Sequence, residues 1–488
     1  MFLVPVREIQ HRLALTRALA AIDARLLREP DSVTARFDRA RCIEALGRER
    51  DALTAYRDVL ALDPGHVRAM NAFGLLLLRA GSADEAEVVF REAVRRHPDD
   101  AESHTHLAFV CAKRADHASA RAEYETALRL DPESALAHHG LAAVLAQLGE
   151  TEAARAQQDL GLARRPITAL RYRGTGEPTR VLALGTAADG NVAARRLLDD
   201  RTFLTYAIVV EHYDSALPLP AHDLIFNVIG EADVCAPQLA AAARITARSA
   251  APVLNDPRIV LATGRVANAR RLGSLEDVVA PKTVRRTRAQ LASDPHVMLS
   301  LSMPAPFLLR TPGFHGGDHF VRVETPNALP AALAQLPGDE LLAIAFLDAR
   351  GADGKVRKYR AMIVDGTLYP LHLAIGTHWK LHYFSAEMAE SATHRAEEAA
   401  FLADLPAHVG ARAFAALTRI ADALALDYAG IDFGLDSEGR VLLFEANATM
   451  VVPEPDPDPA FAYRRPAVER ILTAVRAMLL ARARRSGR

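Results

Sequence analysis

The sequence predicts a multidomain protein: an all-α array of helical pairs, then a small α/β unit, then an α+β unit built around one hairpin. Three observations carry this. Prolines recur at Pro30, Pro64, Pro98, Pro132 and Pro166, each step 34 residues. From about residue 180 the apolar period changes, and short strands such as VLALGT alternate with helical runs. Near the C-terminus YAGIDFGLDSEGRVLLFEANATM, residues 428–450, reads as two strands around a DSEG turn.

A length of 488 residues leaves room for about three domains. The 24% of charged residues is that of ordinary soluble proteins. The net charge of -1 says nothing for a nucleic-acid partner, because only clustered charge would. The one basic run, ARARRSGR at the end of the chain, reads as a solvated helix end, so no nucleic-acid partner is expected. Cys42, Cys111 and Cys235 are scattered and odd in number, without a CxxC, which predicts no disulfide framework and a reducing compartment. Residues 1–6 are apolar, but Arg7 and Glu8 end that run too early for a signal peptide. No run of about 18 apolar residues occurs, so the expectation is a cytoplasmic protein with no membrane partner.

The 34-residue step is the period of tetratricopeptide repeats. Other positions keep the phase: small residues at Ala52, Ala86, Ala120 and Ala154, and rings at Tyr56, Phe90 and Tyr124, with Gln158 in the last repeat. Gly47, Gly81 and Gly149 stand between the helices of their repeats, and Ala115 takes that place in the third. Alanine lets two helices approach, the ring fills the groove between them, and proline ends the second helix. The resemblance to tetratricopeptide repeat proteins covers about residues 31–166, four repeats, with residues 1–30 as a leading helix. Such an array presents a concave surface, so a peptide or protein partner is expected there. His104, His106, His138 and His139 fall on first helices; without i, i+4 pairing and a carboxylate they read as surface or groove residues, not metal ligands.

RRPITALRYRGTGEPTR, residues 164–180, holds the last repeat proline with Gly174, Gly176 and Pro178, and reads as a linker. The expected domains are residues 1–170, 171–285 and 286–488. In the second, VLALGT (181–186), TYAIVV (205–210), HDLIFNVI (222–229) and APVLN (251–255) read as strands and VAARRLL (192–198) as a helix, a small doubly wound unit. GTAADGNV at its first turn lacks GxGxxG, so no dinucleotide site is expected. Arg265 opens a helix further on.

FLLRTPGFHGGDHFVRVE, residues 307–324, is a strand, a glycine loop and a strand. Gly313, Gly316 and Gly317 would let backbone amides approach a phosphate, and Arg310 would offer a bidentate fork. It is not a Walker loop. LLAIAFL (341–347) ends at Asp348, and Phe346, Leu347 and Asp348 would line an adenine slot. In KYRAMIVD, Lys358 and Arg360 share a strand face and need an anion or solvent between them. Lys380 stands beside Trp379, the one tryptophan, and His372, His378 and His382 lack zinc-ligand spacing. In the hairpin, a turn centred on Ser437 and Glu438 would pair Leu435 with Arg440 and Asp432 with Leu443. Asp432, Glu445 and Asn447 would then share a face, a hard oxygen set suited to Mg²⁺.

In order and separation these stretches resemble the ATP-grasp superfamily, over about residues 181–480, in its glutathione synthetase and D-alanine–D-alanine ligase branch. The resemblance implies an α/β pre-ATP-grasp domain (171–285) and an α+β ATP-grasp fold (286–488), with ATP and Mg²⁺ as cofactors. It implies joining of a carboxylate to an amine through an acyl phosphate, with the array recruiting a peptide or protein substrate. By it, Arg265, Arg310, Lys358, Arg360 and the His315, Gly316, Gly317 loop would hold phosphates, Phe346, Leu347 and Asp348 the adenine, and Asp432, Glu445 and Asn447 the metal. Lys380 and Arg360 would be catalytic. Two departures stand out: Arg310 where many relatives have lysine, and ATMVVPEPDPDP after Asn447 where peptide ligases have Ser-Pro-Gly. The second bears on the acceptor more than on the nucleotide. Two other functions fit the same residues: a scaffold whose nucleotide domain regulates without turnover, and phosphotransfer to a non-carboxylate acceptor.

Overall fold

The 34-residue phase sets where helices begin as well as where they end. The computed structural model describes residues 6–187, 189–293, 302–314, 317–381, 387–454 and 456–485, with side chains from residue 14 to residue 484. A leading helix α1 (Val6–Leu26) precedes the pairs α2 (Val33–Ala45) with α3 (Glu49–Leu62), α4 (Val67–Arg79) with α5 (Ala83–Arg96), α6 (Ala101–Lys113) with α7 (His117–Leu130), and α8 (Ala135–Gln147) with α9 (Thr151–Arg164). Ser32, His66, Asp100 and Ser134, again 34 residues apart, each cap a first helix by accepting from the N–H three residues on. This satisfies a donor that the helix leaves unpaired. Each second helix stops two residues before its proline, whose ring steers the preceding residue out of helical geometry.

Ala52, Ala86 and Ala120 are fully buried, and Tyr56, Phe90 and Tyr124 fill the space beside them. A Cβ on Gly74 would come within 2.5 Å of the Phe90 ring, so that ring depends on a glycine in α4. In the last pair Gln158 is exposed, and α9 buries only Ala154 and Gly161.

The histidines depart from expectation. His104 and His138 are buried, not on the surface, and make equivalent bonds one repeat apart. His104 meets Glu123 at 2.6 Å and the Pro98 carbonyl at 3.0 Å, while His138 meets Gln157 at 2.7 Å and the Pro132 carbonyl at 3.0 Å. His106 is also buried, 3.4 Å from Glu102. The side-chain partners of His104 and His138 lie on the other helix of the pair, which local spacing does not reveal.

A second compact unit contains Ile167–Gly174 and the chain from Pro178 onward. Part of the expected linker is therefore structured: β1 (Ile167–Ala169) lies antiparallel to β3 (Phe203–Val209). It closes the edge of a sheet ordered β1-β3-β2-β4-β5, with β2 (Thr179–Gly185), β4 (Leu224–Asn227) and β5 (Val253–Leu254) parallel to β3. The helix expected over residues 192–198 is only a 3-10 turn, Ala194–Arg196. Its start is held extended, because the Val192 N–H donates to the Val228 carbonyl at 2.7 Å. Helices α10 (Ala236–Thr246), α11 (Pro257–Leu261) and α12 (Arg265–Leu272) follow.

Two further sheets complete the unit. One, ordered β7-β10-β8-β9, is antiparallel and consists of β7 (Thr283–Thr287), β8 (Phe307–Arg310), β9 (Phe320–Val323) and β10 (Glu340–Ala345). It has its own core, including Leu291, Phe307, Leu309 and Leu341. The other is ordered β12-β11-β13-β14-β6, from β6 (Val278–Val279), β11 (Val356–Val364), β12 (Thr367–Gly376), β13 (Tyr428–Leu435) and β14 (Val441–Asn447). Leu182 and Ile225 of the first sheet share one core with Ile363 and Ile431 of this one. The core therefore runs across residue 285, where the sequence suggested a boundary. Asn255 fastens the join: it donates to the Tyr428 carbonyl at 2.8 Å and accepts from the Tyr428 N–H at 2.9 Å. Among the described residues no helix is long and apolar enough to cross a membrane.

The inter-helix turns contain one strained residue. Gly47, Gly81 and Gly149 have φ of 77°, 86° and 79°, and Ala115 adopts 61° at the equivalent position. Left-handed geometry costs an L-residue about 1–2 kcal/mol, partly offset in Ala115→Gly by the looser unfolded chain. That substitution is expected to stabilise the array by about 0.5–1 kcal/mol, and Gly81→Ala to destabilise it similarly. Urea unfolding followed by circular dichroism reads both.

Candidate functional site

The hairpin builds the site through an irregularity that spacing did not reveal. Asp436 organises the turn, accepting from the N–H groups of Glu438 and Arg440 at 2.9 Å each. This shifts the register by one from the expected pairing: Leu435 faces Val441, and Phe433 faces Leu443. Uninterrupted, that register would put Asp432 opposite Phe444. A bulge there brings Asp432 opposite Glu445 and Gly430 opposite Asn447. The two carboxylates are thus direct cross-strand neighbours on one face, where the simpler register placed Leu443 opposite Asp432.

The anion required between Lys358 and Arg360 is Asp432. Arg360 lies directly across from it on β11. Its Nε and Nη2 donate to Asp432 Oδ1 and Oδ2 at 2.5 and 2.7 Å, and Lys358 Nζ stands 2.7 Å from Oδ2. Burial would raise the Asp432 carboxyl, but Arg360 and Lys358 more than offset this and hold it well below the usual range. Glu445 pairs with Arg265, which opens α12. Burial raises its carboxyl too, yet Arg265 and Arg310 bring it down to about 2.

Asn447 donates its amide to Glu445 Oε1 at 2.6 Å, and its oxygen accepts from Thr449 Oγ1 at 2.9 Å. Asp432, Glu445 and Asn447 suit a hard cation in donor chemistry, with two carboxylates side by side. Side-chain cations already lie on both carboxylates, and the Asn447 oxygen faces Thr449. The face is therefore not the open oxygen set that the sequence suggested.

These groups line a cavity of about 820 Å³. It brings together Arg265, Arg310, Gly317, Phe346, Leu347, Asp348, Lys358, Arg360, Lys380, Asp432 and Glu445. Asn447 lies beside it, lining a smaller cleft with Arg265 and Glu445. His315 and Gly316 are outside the described residues. Arg310 is buried, donates to the Phe314 carbonyl, and leaves Nε without a hydrogen-bond partner among the described residues. Burial and the neighbouring Arg265 lower its pKa. Trp379 meets Phe320 and Phe346 edge-on at 5.5 and 6.3 Å, forming an aromatic wall. Lys380 is exposed, 3.4 Å from the Phe320 carbonyl, and its stem passes where a Cβ on Gly317 would stand. Asp348 pairs with Arg350 at 2.7 Å.

Sequence reasoning missed three contributors. Asp233, after β4, accepts from the Arg265 N–H at 3.1 Å and from Arg285 at 3.0 Å, tying α12 and β7 to the first sheet. His372 stands opposite Arg360 on β12, buried, where burial and then Arg360 keep its pKa well below the ordinary value. Gly230 lets the backbone of residues 448–449 pass, since a Cβ would come within 2.9 Å of it. The signal for Gly230 was its place in the turn after a strand.

A family model described as "Cilia and flagella-associated protein 70 middle TPR-like domain" matches residues 7–107, and one described as "Tetratricopeptide repeat" matches residues 112–166. The N-terminal array is made of tetratricopeptide repeats. Solved structures similar to the chain include MamA 41-end from Desulfovibrio magneticus RS-1, at 20% identity over 32% of this chain and 88% of that one, TM-score 0.29. YrrB, described as a TPR protein with an unusual peptide-binding site, gives 18%, 33%, 82% and 0.28, and pilF of Pseudomonas aeruginosa gives 24%, 31%, 69% and 0.29. No curated protein matches the sequence. Tetratricopeptide repeats generally serve as protein-interaction surfaces.

Two outcomes follow from the burial and charge of the site. Gly230→Ala should displace residues 448–449 and destabilise the fold by roughly 1–3 kcal/mol through overpacking, measurable by thermal unfolding. The folded pKa values of His372 and Glu445 lie below their unfolded values of 6.5 and 4.5, so the unfolded chain binds those protons first. The stability they contribute is full above pH 6.5, begins to fall below it with His372, and falls further between 4.5 and about 2 with Glu445. Denaturant midpoints followed by Trp379 fluorescence should show this, with the upper limb lost in His372→Gln.

Proposed function

We propose that the second unit is an ATP- and magnesium-dependent carboxylate–amine ligase of the ATP-grasp type, and that the repeat array recruits its peptide or protein substrate. One observation carries this reading. Residues from four separate stretches of sequence, Arg310 with Gly317, residues 346–348, Lys358 with Arg360, and Asp432 with Glu445, line a single cavity. Its size suits a nucleotide with space remaining, and its charged floor suits phosphates.

In this reading Arg310, a cavity-lining side chain whose buried Nε has no hydrogen-bond partner among the described residues, turns its fork onto a phosphate, and Arg265 and Lys358 add charge. The aromatic wall and residues 346–348 take the base. A substrate carboxylate accepts the γ-phosphoryl group of ATP, and ADP leaves; an amine then displaces phosphate and forms the amide. Lys380, exposed at the mouth of the glycine loop, neutralises the phosphoryl group in transit. Arg360 orients it from the floor. Magnesium held by Asp432, Glu445 and Asn447 would spread the phosphate charge.

The engaged state of the carboxylates favours a second reading, a scaffold in which nucleotide binding regulates the array without turnover. ADP release with candidate substrates separates the two.

Calorimetry with ATP and magnesium tests the nucleotide site. Arg310→Met is expected to weaken binding roughly tenfold or more, as a buried charge-assisted contact is lost. Equal affinity in the variant and the wild type would remove Arg310 from the site. For the reaction, hydroxylamine should trap the acyl phosphate as a hydroxamate, and Lys380→Ala should cut trapping while ATP affinity stays nearly unchanged. Phosphate retained on the product without any hydroxamate would point to phosphotransfer instead.

A further inference from the structure

We propose that Arg360 and Lys358 form a counter-ion latch on Asp432 that keeps a divalent metal out of the carboxylate pair until an anionic phosphate draws the two cations away. The release half rests on the nucleotide reading above; the exclusion half concerns metal alone.

The geometry of the pair carries the exclusion. Both oxygens of Asp432 are engaged, by Arg360 at 2.5 and 2.7 Å and by Lys358 at 2.7 Å. Glu445 Oε1 is engaged by Arg265 and by the Asn447 amide at 2.6 Å. Magnesium shared between Asp432 and Glu445 Oε1 would have to sit about 2.0–2.1 Å from these oxygens, in space that the donors hold. Charge opposes it as well. Arg265, Lys358 and Arg360, with Arg310 beside them, already balance Asp432 and Glu445 and the Asp233 carboxylate that also faces Arg265, so a dication finds no net negative charge left to draw it.

The same geometry carries the release. Lys358 and Arg360 both line the cavity, so an anion within it offers them a second partner without unfolding the sheet. Arg310 is only 7% exposed and lines the cavity, and its Nε has no hydrogen-bond partner among the described residues, so a small turn of its guanidinium gives an anion there a contact. A polyphosphate offers Lys358 and Arg360 a second set of oxygens and returns the Asp432 oxygens to the metal. Loading is thus ordered: phosphate, or a metal–phosphate complex, before free metal.

Titration of the full-length protein with Mn²⁺, followed by electron paramagnetic resonance, tests the exclusion without turnover. The wild type should bind Mn²⁺ weakly on its own. The double variant Lys358→Met, Arg360→Gln should bind it roughly tenfold tighter or more, because the competing cations are gone. Lys358→Met alone, which keeps the Arg360 fork on Asp432, should show a smaller gain if the double variant fails to fold by circular dichroism. Tight Mn²⁺ binding by the wild type alone overturns the latch, as does unchanged affinity in a folded double variant. ATP added to the wild type should then carry Mn²⁺ into the protein beyond what ATP alone sequesters. A wild type that excludes Mn²⁺ and gives no calorimetric heat with ATP overturns the release and the nucleotide reading together, while the exclusion stands on its own titration.

Discussion

Asp432 keeps a negative charge where burial alone would extinguish it, because β11 sets Arg360 directly across from it and Lys358 two residues along the same face. A buried carboxylate without partners would be costly enough to protonate or to open the sheet. With them it fixes the pairing of β11 with β13, the central strand of a five-stranded sheet. A one-residue slip there would turn Asp432 into the opposite face and leave both cations unmatched. The ion triad is therefore a register device as well as a piece of the cavity floor.

The rest of the site extends this pattern outward. Glu445 carries Arg265, whose backbone N–H is held by Asp233, which in turn holds Arg285 at the root of the glycine-loop sheet. Four segments distant in sequence are thus joined by alternating charges, each satisfying the one before. Arg310 is the exception, with burial and like charge beside it and one nitrogen unpartnered among the described residues. A buried cation with one nitrogen unpartnered among the described residues is where an incoming anion changes the energy most.

The array is held together on a different principle. Its stability is local and repeated: a cap, a buried alanine and a proline at fixed phase in each pair, with a ring in the first three. His104 and His138 show how far the repetition reaches, since each joins two helices and the preceding loop by equivalent bonds. Such a stack tolerates one irregular turn at Ala115, because its neighbours do not depend on that turn.

The sequence by itself determined what is periodic or adjacent. The 34-residue phase of Pro30 to Pro166 specifies paired helices, since helix ends and close crossings are short-range matters of proline, alanine and glycine. Alternation likewise made legible that Lys358 and Arg360 share a face and that an anion belongs between them. Only the tertiary structure decided which anion it is, because the pairing of β11 with β13 joins residues 72 apart. It also decided that a bulge at Phe444 sets Glu445 beside Asp432, that Ile167–Ala169 is an edge strand and not linker, and that one core runs across residue 285. Registers, bulges and shared cores are choices among distant partners, settled by which burial and which charge pairing the whole chain can satisfy at once, and no local run of residues encodes them.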